Sequence, residues 1–330
     1  MPASPLFVIG YPRSGTKLLR AILCNNTRVK IPDLETNFFP LWVSLSQRFG
    51  DLSVRRNFSR FYGYVSRFPF FYYARQRQKE ISERLWYEEA HPHRLSDVFS
   101  ALIRLYTGYD CTRDVLWGDK SPTYVRHTGL LMEHFPTAQF LHIIRDGRDC
   151  CLSARNAWGN SVYRTAQRWN DAVLSPARDL ATRKEALCEI RYEDLLRSPE
   201  ATMAQVFERL GLEWSSHFVT TVDSGEPLGA GASQEEIVSK NSRQFVSQIS
   251  ARQLSRISRI AGDGLSKYGY QNGAASTIRL SWAEMNVYRI ADATRQVLRR
   301  VGDKGLVHSL GFVYRFFRQN WASEVQLKRK

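Results

Sequence analysis

An α/β fold built on a parallel sheet flanked by helices is what this 330-residue sequence predicts. Three observations lead there. Apolar runs at residues 6–9 and 138–144, the second interrupted by Gln139 and His142, read as buried central strands. Each run is followed by a turn and then by a segment of helical spacing, and strands that alternate with helices form a parallel sheet covered by those helices. The hydrophobic fraction of 43% and charged fraction of 24% are those of a globular chain, and no run of eighteen apolar residues suggests a membrane span.

The elements follow in order. A strand over 6–10 runs into the turn Gly10-Tyr11-Pro12-Arg13-Ser14-Gly15, and a helix covers 15–24. A short strand at 29–31 precedes a long, mostly helical region over 37–110. A helix at 123–135, a strand at 138–145 and a helix at 147–157 come next, then a helix at 162–183 and a strand at 187–191. Ser198 is placed to N-cap a further helix with Pro199 at its first position. Met203, Val206, Phe207 and Leu210 line one face of it, and Gly211 ends it. Residues 215–250 read as loop, with the small-residue stretch Gly225–Ser233, before a helix capped near Ser250. This divides the chain into a domain at 1–273, with a helical insert at about 41–110, and a basic helical C-terminal extension at 274–330.

Ligands of such sheets bind at the carboxyl ends of the strands. The first turn stands at such an end and opens a helix, whose free N–H groups and dipole favour an anion. Arg13, Ser14, Thr16 and Lys17 add side-chain donors, so the loop is a phosphate or sulfate site. Its spacing Gly10-x4-Gly15 is P-loop-like, yet Thr16 precedes Lys17, whereas the strict motif places Lys first. A nucleotide-dependent kinase of P-loop type is therefore one reading. The second long strand ends in Arg145-Asp146-Gly147-Arg148-Asp149, with Ser153 eight residues after Arg145. Arg offers a planar fork to a phosphate and Ser a short hydroxyl donor.

Taken together, Tyr11-Pro12-Arg13-Ser14-Gly15-Thr16 and Arg145 with Ser153 resemble the 5′-phosphosulfate loop and the 3′-phosphate motif of sulfotransferases that use 3′-phosphoadenosine 5′-phosphosulfate (PAPS). Gly118-Asp119-Lys120-Ser121-Pro122 resembles a segment of many bacterial members, and Arg191-Tyr192-Glu193-Asp194-Leu195 resembles one that follows a later strand. Ile31–Thr36 lies where the tyrosylprotein and heparan types carry a catalytic Glu. The resemblance spans roughly residues 5–40 and 115–270. It implies that Arg13, Ser14, Gly15, Thr16 and Lys17 bind the 5′-phosphosulfate, and that Arg145 and Ser153 hold the 3′-phosphate. Tyr192 would lie near the nucleotide, and Lys240 and Ser242, with Ser239 and Arg243 beside them, in a loop that closes over the cofactor. Glu35 would take the acceptor's proton, and Lys120 would reach the sulfuryl group or the bridging oxygen. Arg13 joins Glu35 and Lys120 as a catalytic candidate. Asp33 and His142 are the competing bases; His127 and His134 carry no motif. No metal is required.

Charge and cysteines bear on partners and compartment. The formal net charge is +15. Residues 276–330 hold eleven basic and four acidic residues, and residues 41–94 hold ten and five. Such a chain attracts polyanions, which leaves a non-catalytic nucleic-acid-binding or membrane-binding protein as a rival reading. Within the insert, nine aromatics between Phe58 and Tyr73 interleave with arginines. Such material suits sugar rings, acidic groups or aromatic acceptors, or it packs as a helical cap. The expected partner is a small-molecule or polysaccharide acceptor rather than a specific nucleic acid. The tail has apolar spacing suited to packing or to homo-oligomerisation, with peripheral contact to an anionic membrane as the lesser reading. Five cysteines without C-x-x-C spacing, and an N-terminus without a basic leader, suggest a reducing cytoplasm.

Overall fold

Strand β1 (Leu6–Ile9) takes the middle of the sheet because all four of its side chains are apolar and all four are fully buried. In the computed structural model, which describes residues 4–110, 114–220, 243–270 and 276–304, the five strands are ordered β2-β3-β1-β4-β5. The others are β2 (Val29–Lys30), β3 (Leu116–Lys120), β4 (Gln139–Ile144) and β5 (Leu187–Arg191). The β1–β3, β1–β4 and β2–β3 pairs are parallel, with Phe7 opposite both Asp119 and Phe140. The helices are α1 (Thr16–Cys24), α2 (Phe39–Leu45), α3 (Arg55–Val65), α4 (Pro69–Gln76), α5 (Glu83–Ala90), α6 (Leu95–Thr107), α7 (Thr128–His134) and α8 (Gly147–Trp158). They continue with α9 (Val162–Asp179), α10 (Tyr192–Arg197), α11 (Pro199–Arg209), α12 (His217–Thr220), α13 (Phe245–Gln248), α14 (Ala251–Ile260), α15 (Gly262–Lys267) and α16 (Trp282–Lys304).

The described chain divides into two compact units. The first holds residues 4–10, 15–143 and 175–220, which include the sheet up to Ile143; the second holds 11–14, 144–174 and 243–304. In the first unit, Leu6 and Val8 of β1 pack with Leu141 and Ile143 of β4 against Leu19 and Ile22 of α1, with Leu195, Met203 and Phe207 of α10 and α11 completing the cluster. Alternation along the strand turns Phe7 to the other face. There it stacks with Phe140 at 5.6 Å and meets Phe135 edge-on at 5.4 Å. In the second unit Trp169 is fully buried and donates its indole N–H to the Arg145 carbonyl at 3.1 Å. A Cβ on Gly147 or Gly264 would stand under 3 Å from that ring. Helix α16 is fastened through buried Asp292, which accepts the Ser161 N–H at 2.6 Å, while Trp282, Val287, Ile290 and Leu298 stay exposed.

The structure corrects the sequence reading at several places. Strand β3 is absent from that reading, because Trp117-Gly118-Asp119-Lys120 alternates nothing and carries a glycine and two charges. It is nonetheless buried between β2 and β1, and Gly118 is why: a Cβ there would stand 1.9 Å from the Leu6 carbonyl oxygen. The helix expected at 123–135 is a 3₁₀ turn (Pro122–Arg126) followed by α7, and that expected at 162–183 ends at Asp179. Pro199 does open α11, but Ser198 makes no side-chain cap bond. Most of the insert's aromatics are core. Phe58, Phe61 and Phe71 are buried against Trp42 or Trp86 and Phe68 and Phe70 against Phe38, whereas Tyr72 and Tyr73 are exposed.

The Gly118 contact separates two substitutions that look alike. Gly118→Ala should destabilise by about 3 kcal/mol or more, since the clash is with backbone that cannot yield. Gly63→Ala, in α3 with nothing within 4 Å of the added carbon, should be neutral or stabilising by about 0.5–1 kcal/mol. Thermal melts of the two variants check this; equal melting temperatures would contradict the assignment of β3.

Candidate functional site

In the first unit, the loop after β1 enters α1 through Gly15, at φ 95°. Its Cβ position is filled by the Tyr192 ring, 2.5 Å away, so only glycine fits and Tyr192 is set directly against the loop. Gly10 is equally confined, 2.6 Å from the Ile143 carbonyl. Helix α1 has no acidic residue in its first turn and no side-chain cap, and Thr16 and Lys17 stand at that end. This cradle suits a bound anion: the helix end offers N–H donors, and the glycines admit a ligand against the backbone.

The same unit pairs Lys120 with Glu35. Lys120, at the end of β3, is 1% exposed, and its Nζ donates to Glu35 Oε1 at 2.7 Å. The second Glu35 oxygen accepts from Asn37 Nδ2 at 3.0 Å. Glu35 itself is about one-third exposed, so one partner of the pair faces inward and the other reaches the surface. Of the competing bases, Asp33 is engaged by Arg77 and by the Tyr106 hydroxyl. His142 is fully buried in β4, 3.0 Å from Glu189. Burial lowers His127 to about 4 and moves His134 down as well.

Behind the pair lies a polar interior that the sequence reading missed. Asp119, Thr36, Ser121 and Tyr124 are all buried. Thr36 Oγ1 is 2.7 Å from the Tyr124 hydroxyl and 3.3 Å from Ser121 Oγ, and Ser121 Oγ accepts the Asn37 N–H at 3.1 Å. Burial pushes the Asp119 carboxyl up from 3.8 to about 7; the Ser121 and Thr36 hydroxyls and the Lys120 charge moderate the shift, and the Glu35 charge adds to it. Those hydroxyls approach Asp119 without closing a hydrogen bond of regular geometry on either oxygen. The signal available in the sequence was the Gly-Asp-Lys-Ser segment itself, a charge beside a hydroxyl at a strand position.

In the second unit, Arg13 has the left-handed backbone rare for a side-chain-bearing residue, φ 77°. Its Nε donates to Ser153 Oγ at 2.9 Å, and its carbonyl accepts from Arg145 Nη1 at 3.2 Å. The three residues the motifs singled out are thus one cluster, with Trp158 stacked 5.7 Å from the Arg13 guanidinium. Ser14 is fully buried, with Oγ 3.6 Å from Cys150 Sγ. Arg148 is held by Asp146, which also caps α8. Asp149 accepts the N–H groups of Arg243 and Phe245. Lys240 and Ser242, with Ser239, lie outside the described residues.

Comparison with known proteins follows the same lines. The model of the Sulfotransferase family matches residues 5–216. The chain is 23% identical over 281 residues to protein-tyrosine sulfotransferase 2 of Gallus gallus, covering 79% of this chain and 65% of that protein. It is 25% identical over 244 residues to the omega-hydroxy-beta-dihydromenaquinone-9 sulfotransferase Stf3 of Mycobacterium bovis, covering 63% of each. The chain therefore spans just under two thirds of these relatives. Among solved structures, the sulfotransferase domain of the Synechococcus PCC 7002 olefin synthase superposes with a TM-score of 0.55 at 19% identity, over 82% of this chain and 96% of that one. The sulfotransferase domain of the curacin biosynthetic pathway gives 0.53 at 16%, over 82% and 98%. These likenesses establish the fold.

The Asp119 shift has a consequence for stability. The folded chain keeps this carboxyl protonated up to about pH 7, whereas an unfolded one ionises near 3.8. Its contribution is full below the lower value, falls as pH rises through the window, and is lost above the upper one. Asp119→Asn should therefore raise the melting temperature relative to wild type more above pH 7 than near pH 4. A difference that does not change with pH would contradict the assignment.

Proposed function

Because the chain belongs to the sulfotransferase family, we propose that it transfers a sulfuryl group from PAPS to an acceptor hydroxyl, with Glu35 as the base. The observation that carries this reading is the Lys120–Glu35 pair, a buried cation at the end of a central strand held by a carboxylate about one-third exposed. The donor supplies an activated sulfuryl group on a phosphate leaving group. Glu35 takes the acceptor's proton as the acceptor oxygen bonds to sulfur and the sulfur–phosphate oxygen bond breaks. Once Glu35 is neutral, the Lys120 charge loses its partner and becomes available to the oxygens that gain charge.

The remaining roles divide by motif. Gly15, Thr16 and Lys17, with Arg13 and Ser14 before them, bind the 5′-phosphosulfate. Arg145 and Ser153 hold the 3′-phosphate. Ser153 Oγ, which accepts from Arg13 Nε, keeps its own proton for that phosphate. Tyr192 borders the nucleotide, and Lys240 and Ser242 belong to the same cofactor site. The acceptor is a carbohydrate, phenol, tyrosyl or lipid-headgroup hydroxyl; the relatives are named for protein tyrosine and for an omega-hydroxylated menaquinone. The domain ends near residue 273, and the extension at 274–330 packs on it or joins two copies of the chain. A cytoplasmic setting suits the free thiols of Cys24, Cys150, Cys151 and Cys188. Among the described residues no helix is long and apolar enough to cross a membrane.

Two expected outcomes test these roles. With sulfur-labelled PAPS and cell extract as the source of acceptor, Glu35→Gln should lower the yield of labelled product on the order of 10²–10⁴-fold with little change in PAP affinity. Turnover kept within about five-fold would place the base elsewhere. In calorimetry, Arg145→Ala should weaken PAP binding by roughly 2–4 kcal/mol and Ser153→Ala by about 1 kcal/mol. Unchanged affinity in Arg145→Ala would remove the 3′-phosphate assignment.

A further inference from the structure

Asp119 is used by none of the roles above, yet its carboxyl is buried without a hydrogen bond of regular geometry. It is fully enclosed, and neither carboxylate oxygen has a hydrogen-bond partner among the described residues. Its surroundings are hydroxyls rather than hydrocarbon alone. Thr36, Ser121 and Tyr124 form a connected run. Two backbone N–H groups feed the run from outside, Phe39 to Tyr124 at 3.0 Å and Asn37 to Ser121 at 3.1 Å. Hydroxyl protons are therefore left free to turn toward Asp119.

The place of this run in the chain matters. Thr36 and Asn37 follow Glu35 directly, and Asp119 and Ser121 flank Lys120. The bonds that join Thr36 and Asn37 to Ser121 thus tie together the two segments that present the pair. We propose that Asp119 is a positioning residue for the Glu35–Lys120 pair: the hydroxyl run beside it sets Glu35 against Lys120, and its charge state decides how firmly that run and Lys120 hold Glu35.

The electrostatics give this role a direction. The charged and titratable groups facing Asp119 are Lys120 of β3, Glu35 of the loop after β2, and Tyr124 of the 3₁₀ turn; β1 opposes it with Phe7. A neutral Asp119 leaves the Lys120 charge to Glu35 and lets the hydroxyls bond to one another. An ionised Asp119 turns the Ser121 and Thr36 protons toward itself, attracts Lys120 and repels Glu35. Ionisation therefore loosens both the 2.7 Å contact and the Thr36–Ser121 tie. Burial keeps Asp119 neutral to about pH 7, so the pair is held as seen below that pH and loosened above it.

This inference rests on the sulfuryl-transfer reading, and the test separates the two. Full-length wild type, Asp119→Asn, Thr36→Val and Glu35→Gln are assayed with sulfur-labelled PAPS and cell extract as acceptor source, between roughly pH 5 and 9. Wild-type turnover should fall as pH rises through about 7, with the KM for PAPS unchanged. Asp119→Asn, neutral throughout, should lose that fall, so that the ratio of variant to wild-type turnover rises at least about five-fold across the range. Thr36→Val should lower turnover about ten-fold below pH 7 with PAP affinity intact, and in an Asp119→Asn background that loss should persist above pH 7, because the tie it breaks forms when residue 119 is neutral. An Asn variant that follows the wild-type pH profile overturns the proposal, as does a Thr36→Val variant with wild-type turnover. If Asp119→Asn does not fold by circular dichroism, Thr36→Val decides alone. Full turnover in Glu35→Gln is the separate result that sinks the base assignment.

Discussion

A lysine ammonium buried to 1% exposure survives only beside a counter-charge, and much of the first unit is arranged around that requirement. Lys120 is carried into the interior because β3 lies between β2 and β1 rather than at an edge. β3 can lie there because Gly118 lets the Leu6 carbonyl approach closer than any side chain would allow. The counter-charge comes from Glu35, which the short β2 and the loop after it deliver to the same place. Removing either charge would leave the other stranded, so the pair is a structural commitment as well as a chemical one.

The second unit solves a different problem with the same residue types. Arg13, Arg145 and Ser153 come from a loop, a strand end and a helix, and a side-chain bond from Arg13 to Ser153 and a bond from Arg145 to the Arg13 carbonyl join them. The left-handed backbone of Arg13 is a local cost that turns its carbonyl toward Arg145 and its side chain toward Ser153. Arginine rather than lysine suits the position, since its planar fork fixes a directed bond to Ser153 through Nε.

Legibility of this chain in its sequence followed the chemistry of burial. β1, β4 and α1 were readable because apolar runs and helical spacing signal them directly. β3 was not, because its burial depends on a glycine-to-carbonyl contact that no periodicity reports. Glu35 and Lys120 were singled out by resemblance, and only the fold shows them bonded. Asp119 stayed hidden, since a carboxylate in a polar segment reads as solvated until the strand is seen to be interior. The insert's aromatics left two readings open, an acceptor surface or a packed helical cap; five of the nine are buried, while Arg56 and Arg60 remain exposed.

The central claim is that the anion-binding residues recognise a nucleotide carrying a 3′-phosphate beside its 5′-phosphate. Calorimetric titration of the full chain with PAP, 5′-AMP and ATP in parallel tests it most directly. The account predicts that PAP binds at least about 30-fold more tightly than 5′-AMP, the worth of one charge-assisted phosphate contact, and more tightly than ATP. Equal affinity for PAP and 5′-AMP, or a preference for ATP, would contradict it.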